Sequence, residues 1–175
     1  MTGPGKLDWQ PAAPSLVATP VAAALSDWNA GTVLAAPIDA ALADTAEFCA
    51  HYDVELADSA NCVIIAGKRG EIVRFAACLV LATTRADVNG VVRKRLDSRK
   101  ASFAAMDDAV ALTGMEYGGI GPIGLPASWP LLVDRAVVER ATVVVGSGLR
   151  RSKLAVPGAL LAELPSAEVV DGLAS

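Results

Sequence analysis

The segment from Thr113 to Gly124, TGMEYGGIGPIG, carries Gly at 114, 118, 119, 121 and 124 and Pro at 122. Repeated glycines let a backbone adopt positive φ and turn its amide groups toward one point, the arrangement that holds an oxyanion or a phosphate. It is not a P-loop, because no Gly-Lys-Ser/Thr follows, and its spacing is not that of a dinucleotide fingerprint. Taken alone, it reads equally well as a surface loop punctuated by Gly and Pro. A second glycine pair, Gly146-Ser147-Gly148, stands directly before Arg150, Arg151 and Lys153. Two glycine turns, one flanked by cations, suit a pocket for an anionic or carbonyl-bearing substrate.

Few other side chains are suited to group chemistry. His51 is the single histidine, so His-rich zinc sites are excluded and a Ser-His-Asp triad has little support. It falls near the end of a predicted helix, where a surface or capping role is the simpler reading. Cys49, Cys62 and Cys78 are an odd, scattered set without C-x-x-C spacing, as expected of reduced thiols in a cytoplasmic protein. Cys62 lies in a strand-like apolar run, which favours a buried, inert thiol over a nucleophile. Asp134 ends another such run and is placed to cap the next turn. This inventory calls for no metal and no other cofactor.

Positioning these turns requires a core. The chain has 175 residues, 53% hydrophobic and 19% charged, which fits a single domain and excludes extensive disorder. Aromatics make up only 5%, so the core is aliphatic. No apolar run reaches the roughly 18 residues of a membrane span, and the first residues lack the pattern of a secretion signal. Residues 1–15, rich in Pro, Gly and Ala, read as a flexible arm ahead of one domain over 16–175. Helices are predicted over 20–28, stopped by Asn29 and Gly31, and over 45–52 behind Asp44 and Glu47. Further helices are predicted over 88–96 behind Asp87, over 106–113, and from Pro157, at a first helical position, to about Leu164. Strands are predicted over 32–36, 62–67, 72–83, 131–134, 141–145, 152–156 and 167–170. A tight KRGE turn joins the second and third. Short elements without regular βαβ alternation indicate an α+β domain around a mixed, barrel-like sheet.

The net charge of −4 divides into −7 over residues 1–60, +6 over 61–100 and −3 over 101–175. The middle segment gathers Lys68, Arg69, Arg74, Arg85, Arg93, Lys94, Arg95, Arg99 and Lys100. A basic patch on an acidic chain suits a polyanion such as RNA held by its phosphates. Solvated faces of a helix and a hairpin would give the same pattern. Phe75 is the single aromatic residue within this 61–100 span, so no aromatic interleaving supports base stacking here.

In combination these stretches resemble a known family. ALTGMEYGGIGPIG, then LLVD, then VVVGSGLRRSKLAV with PGALLAEL, is similar to the YbaK-type family of aminoacyl-tRNA editing domains. That family includes free-standing trans-editing proteins and domains associated with prolyl-tRNA synthetases. The similarity runs over roughly residues 32–172. It implies a compact α+β fold with a mixed sheet of six or seven strands. It also implies hydrolysis of the ester joining a wrong amino acid to the terminal adenosine of a tRNA, with no metal, no cofactor and no protein nucleophile. A pocket lysine and the amides of the glycine loop position that ester; carried onto this chain, the amides are those of Gly118 and Gly119. Thr113, Gly146, Ser147 and Gly148 fall at the substrate, Thr113 bonding either the loop or the substrate. Arg93, Lys94, Arg95, Arg99 and Lys100 become candidates for holding the tRNA. The implied partners are a mischarged aminoacyl-tRNA and an aminoacyl-tRNA synthetase, with no DNA and no membrane.

Two positions depart from the family pattern. The family's lysine, in a Lys-Ser/Thr-Leu run at the start of the first hairpin strand, is replaced by Asn61 in Asn61-Cys62-Val63, as in one branch of the family. An aspartate of the deacylases just after the glycine turn falls near Lys153. If Lys153 faces inward, the site has lost one lysine and gained another from the opposite wall; alternation in SKLAV leaves both faces open. Three functions fit. One is a trans-editing deacylase working through Asn61, Gly118, Gly119 and Lys153. Another is a non-catalytic relative that binds aminoacyl-adenosine-like ligands, tRNA or a synthetase. The third is a hydrolase of small free esters or amides.

Overall fold

The computed structural model describes residues 2–28 and 32–175. In chain order the elements begin β1 (Gln10–Pro11), α1 (Thr19–Asp27), β2 (Leu34–Pro37), α2 (Thr45–Tyr52), β3 (Ala60–Arg69) and β4 (Ile72–Leu81). A π-helical turn, Val88–Val92, leads into α3 (Arg93–Arg95), followed by β5 (Lys100–Phe103) and α4 (Met106–Thr113). The chain closes with β6 (Leu131–Asp134), α5 (Arg135–Val138), β7 (Val143–Gly146), β8 (Ser152–Val156), α6 (Gly158–Leu161) and β9 (Ala167–Val170). The helix stop expected at Asn29 and Gly31 lies outside the described residues.

The KRGE turn forms as predicted. Arg69 pairs with Ile72, and Gly70 between them has φ +61°, the geometry a two-residue hairpin reserves for glycine at its first central position. The fold is α+β, as expected, but its strands form two sheets rather than one barrel-like sheet of six or seven. Their orders are β1-β2-β8-β7 and β5-β3-β4-β6-β9. The first is antiparallel, while the second adds parallel β6 and β9 to an antiparallel β5-β3-β4 unit. An isolated bridge between Ser59 and Val144 links the sheets without closing them. Val21 and Leu25 of α1 share one core cluster with Ala77 and Leu79 of β4 and Val145 and Leu154 of β7 and β8. Alternate β3 and β4 residues, Ile65, Ala76 and Cys78, pack instead with Val92, Leu96 and Leu173 on the other face, the period-two division of a sheet covered on both sides.

Residues 2–15, read as a flexible arm, pack onto the domain. Trp9 is 4% exposed and joins Phe48 and Val144 in a third cluster, while β1 pairs with β2. An indole buries too much apolar surface to be left loose where a groove can take it. Two helix expectations change in detail. Residues 88–92 wind as a π turn because both Asp87 carboxylate oxygens accept from the Gly90 and Val91 amides. Pro157 caps α6 instead of opening it, and that helix ends at Leu161.

Candidate active site

The first turn of α2, the start of β3, the glycine loop after α4 and the β7–β8 pair enclose a cleft of about 350 Å³. Asn61, Gly118, Gly146 and Lys153 all line it.

Alternation settles where Lys153 points. Leu154 and Val156 face the core between the sheets, so Lys153 shares the opposite face with Ala155, beneath α2. Its side chain crosses the Phe48 ring, with Nζ 5.2 Å from the centroid, and donates to the Ala43 carbonyl at 3.0 Å. The residue is 8% exposed, and among the described residues no carboxylate stands within ion-pair distance of it. Desolvation therefore pulls the Lys153 pKa below that of an ordinary lysine, partly opposed by Cys49 and Asp44 and reinforced by Arg150.

Asn61 stands on the facing wall. Its Oδ1 accepts from Thr45 Oγ1 at 2.6 Å; a hydroxyl on the carbonyl end leaves the amide NH₂ as the free donor. Beside it, desolvation pushes the Cys62 thiol far above the ordinary range, with Cys78 nearby adding to the shift. Burial thus disfavours the Cys62 thiolate, the form a nucleophile needs.

The two glycine turns press backbone against backbone. Gly148 donates its amide to the Gly119 carbonyl at 2.7 Å, and Glu116 donates to the Gly148 carbonyl at 2.8 Å. Gly118 has φ +84°. Its amide and that of Ile120, which also lines the cleft, make no hydrogen bond among the described residues. The Gly119 amide differs, because it donates to the Glu116 carbonyl at 2.9 Å. Among the cleft-lining residues of this loop, the amides of Tyr117, Gly118 and Ile120 thus make no hydrogen bond to the described residues, whereas that of Gly119, expected beside Gly118, is already paired.

Three other candidates serve the scaffold. Thr113 donates Oγ1 to the Ala109 carbonyl and accepts from the Met115 amide, closing the end of α4. Ser147 is fully buried and bonds Ser152, which in turn holds the Leu16 carbonyl. Gly148 faces Ala18, which a Cβ at 148 would meet at 2.4 Å. Asp134 is buried and receives backbone amides of Leu173, Ala174 and Arg135, so it holds down the C-terminal segment. His51 lies exposed in the last turn of α2 against the edge of Tyr52.

The chain matches the profile of the aminoacyl-tRNA editing domain over residues 39–164, a span that includes all the cleft-lining residues named above. It belongs to the aminoacyl-tRNA editing domain family. Solved structures agree on the fold of this editing domain. A candidate trans-editing enzyme for prolyl tRNA synthetase superposes with TM-score 0.74 at 21% identity, covering 91% of this chain and 97% of the other. A scaffold protein from computational epitope grafting gives 0.75 at 22%, with 91% and 97% covered. The hypothetical protein APE2540 gives 0.66 at 25%, with 79% and 86% covered. No curated protein shows significant similarity to the chain.

The basic cluster of this editing domain divides. Arg93, Arg99 and Lys100 edge one hollow together with Lys68. Arg95 turns away into a two-pronged ion pair with Glu168, and Lys94 is exposed. Asp44, Thr45, Ile120 and the exposed rings of Phe103 and Tyr117 complete the cleft, and none of them stood out as site residues in the sequence. Asp44 had a signal, a cap position, but its carboxylate makes no capping bond. No helix among the described residues is long and apolar enough to cross a membrane.

Proposed function

We propose that this editing domain is a trans-acting, cytoplasmic deacylase that hydrolyses the ester of a mischarged aminoacyl-tRNA with its own residues and no metal. The observation that carries this reading is that Asn61 and Lys153 line one cleft together with Gly118 and Ile120, whose amides make no hydrogen bond among the described residues. The ester carbonyl sits among the Asn61 NH₂ and the Gly118 and Ile120 amides, with the Lys153 ammonium supplying the charge that Asn61 lacks. Asp44, the one carboxylate among the cleft-lining residues, receives the substrate's α-ammonium group. Water adds to the carbonyl carbon, the oxyanion forms against these donors, and the intermediate expels the ribose oxygen. The proton lost by water ends on that oxygen, leaving free amino acid and tRNA. Gly119, whose amide is already used, shapes the loop rather than the oxyanion site.

The Lys153 ammonium also donates to Ala43, which leaves fewer free donors and favours a second reading, a binding module for aminoacyl-adenosine-like groups, tRNA or a synthetase. Incubating the protein with tRNAs misacylated with each amino acid, in the presence of a chelator, separates the two. Amino acid released above the protein-free rate supports the deacylase. Tight tRNA binding with no release from any ester supports the module.

Two expectations follow from the site's charges. The Lys153 pKa is lowered, so its ammonium is lost as pH rises through a value below the ordinary ~10.4. After subtraction of the protein-free rate, kcat/KM is expected to fall on an alkaline limb earlier than a solvated lysine would give; a flat profile to pH 10.5 would contradict a charged Lys153. Binding of tRNA is expected to weaken steeply with salt. Neutralising Arg93, Arg99 and Lys100 together should reduce the log–log slope by about 2–3, whereas Arg95→Gln, already paired to Glu168, should change it little. Equal slopes in wild type and the triple variant would return these residues to a solvated face.

A further inference from the structure

All eight aromatic residues lie among the described residues, and of these only Phe103 and Tyr117 are exposed, at 66% and 56%. Both stand on the rim of the same cleft. Phe103 ends the edge strand β5, with its backbone paired to Ile65 of β3. Scattered exposed apolar residues carry no message, but two exposed rings at one opening do.

The cleft does not end at Phe103. It shares Asn61, Val63 and Phe103 with a second hollow of about 590 Å³ that continues past Arg85 to Asn89. Asn89 also borders a third hollow, of about 480 Å³, edged by Lys68, Arg93, Arg99 and Lys100. The carboxylate within this course, Asp87, is held by the Gly90 and Val91 amides. An aromatic face followed by a furrow of cations is the arrangement that binds a single-stranded nucleic acid, bases stacking on rings while phosphates follow the charge. A peptide partner would need carboxylates at the cationic end and an apolar residue at the ring; a polynucleotide supplies both features in every unit.

We propose, building on the deacylase reading, that Phe103 stacks the base preceding the terminal adenosine and that this furrow carries the single-stranded 3′ end past Arg85 toward Arg99 and Lys100. Arg85 thereby joins the tRNA contacts, and the direction of the strand is set: ester in the cleft, 5′ side toward α3.

The test is fluorescence anisotropy with a 5′-labelled RNA tetranucleotide, ACCA, and a copy lacking the base of its third nucleotide. Wild type should bind ACCA at least about five-fold more tightly than the abasic copy, the range of one stacked base. Phe103→Ala should erase that preference and Phe103→Trp should keep it. Arg85→Gln should weaken both RNAs alike and lower the salt slope by about 1. Phe103 is exposed, so thermal unfolding of its variants should match wild type. No preference in wild type, or an undiminished preference in Phe103→Ala, overturns the inference. The assay contains no ester, so its outcome is separate from the deacylase reading. Stacking with no hydrolysis of any misacylated tRNA would sink the deacylase alone, and hydrolysis with base-blind binding would sink the strand path alone.

Discussion

A Gly146→Ala variant is expected to release no measurable amino acid and to unfold about 5–10 °C below wild type. A Cβ at 146 would stand 2.5 Å from the Ile120 carbonyl oxygen and 2.6 Å from that of Gly119. Both obstacles are backbone, so no side chain can swing aside. The reciprocal contact is as tight, because a Cβ at Gly121 would stand 2.0 Å from the Gly146 oxygen. Alanine must therefore part the two turns, break the Gly148-to-Gly119 hydrogen bond and misplace the free Gly118 and Ile120 amides. Gly118→Ala is a milder change in packing. Its Cβ meets the mobile end of Arg150, and holding alanine at φ +84° costs roughly 1–2 kcal/mol. Calorimetry with the hydrolysis assay checks the contrast; wild-type Tm and rate in Gly146→Ala would show that the turns are not pressed together.

Exchanging the charges across the cleft should give strongly non-additive effects. Lys153→Asp removes the ammonium and sets a second carboxylate near Asp44, and is expected to lower kcat/KM by about 10²–10³. Asn61→Lys places two ammonium groups in one cleft and should lower activity about ten-fold through their repulsion. Combined, the changes move the lysine from position 153 to position 61, and the new lysine offsets the new aspartate. The double variant is expected to exceed either single variant, a coupling that a double-mutant cycle on kcat/KM reads directly. Additive losses would mean that Asn61 and Lys153 do not act in one site.

The fold was largely legible where the pattern was local. Ile72–Leu81, LLVD and SKLAV announced strands through β-branched and aliphatic runs, and KRGE announced its turn through one glycine. The elements that escaped notice were those without a pattern. β1 is Gln10–Pro11 and β5 is KASF, edge segments too short and polar to show a period, recruited by the partners beside them. Within the site, residue type pointed to Asn61, Gly118 and Lys153, but facing could not be read for Lys153 because both faces of β8 are buried. The use of Gly119's amide depends on a turn inside its own loop, and the prominence of Phe103 depends on its place at an edge. Along the sequence a single aromatic, Phe75, falls within the basic run and it stacks on Trp129; in space, the exposed Phe103 ring stands at the furrow's end.

The most direct measurement is the single-turnover rate of amino acid release from the preferred misacylated tRNA by wild type and Lys153→Met, side by side. Methionine keeps the length of the side chain and its contact with Phe48 while removing the buried charge. The predicted result is a rate about 10²–10³-fold lower in Lys153→Met, with a Tm at or above that of wild type because a desolvated ammonium has been relieved. Equal rates in two folded proteins would contradict the claim that the charge of this site now comes from β8.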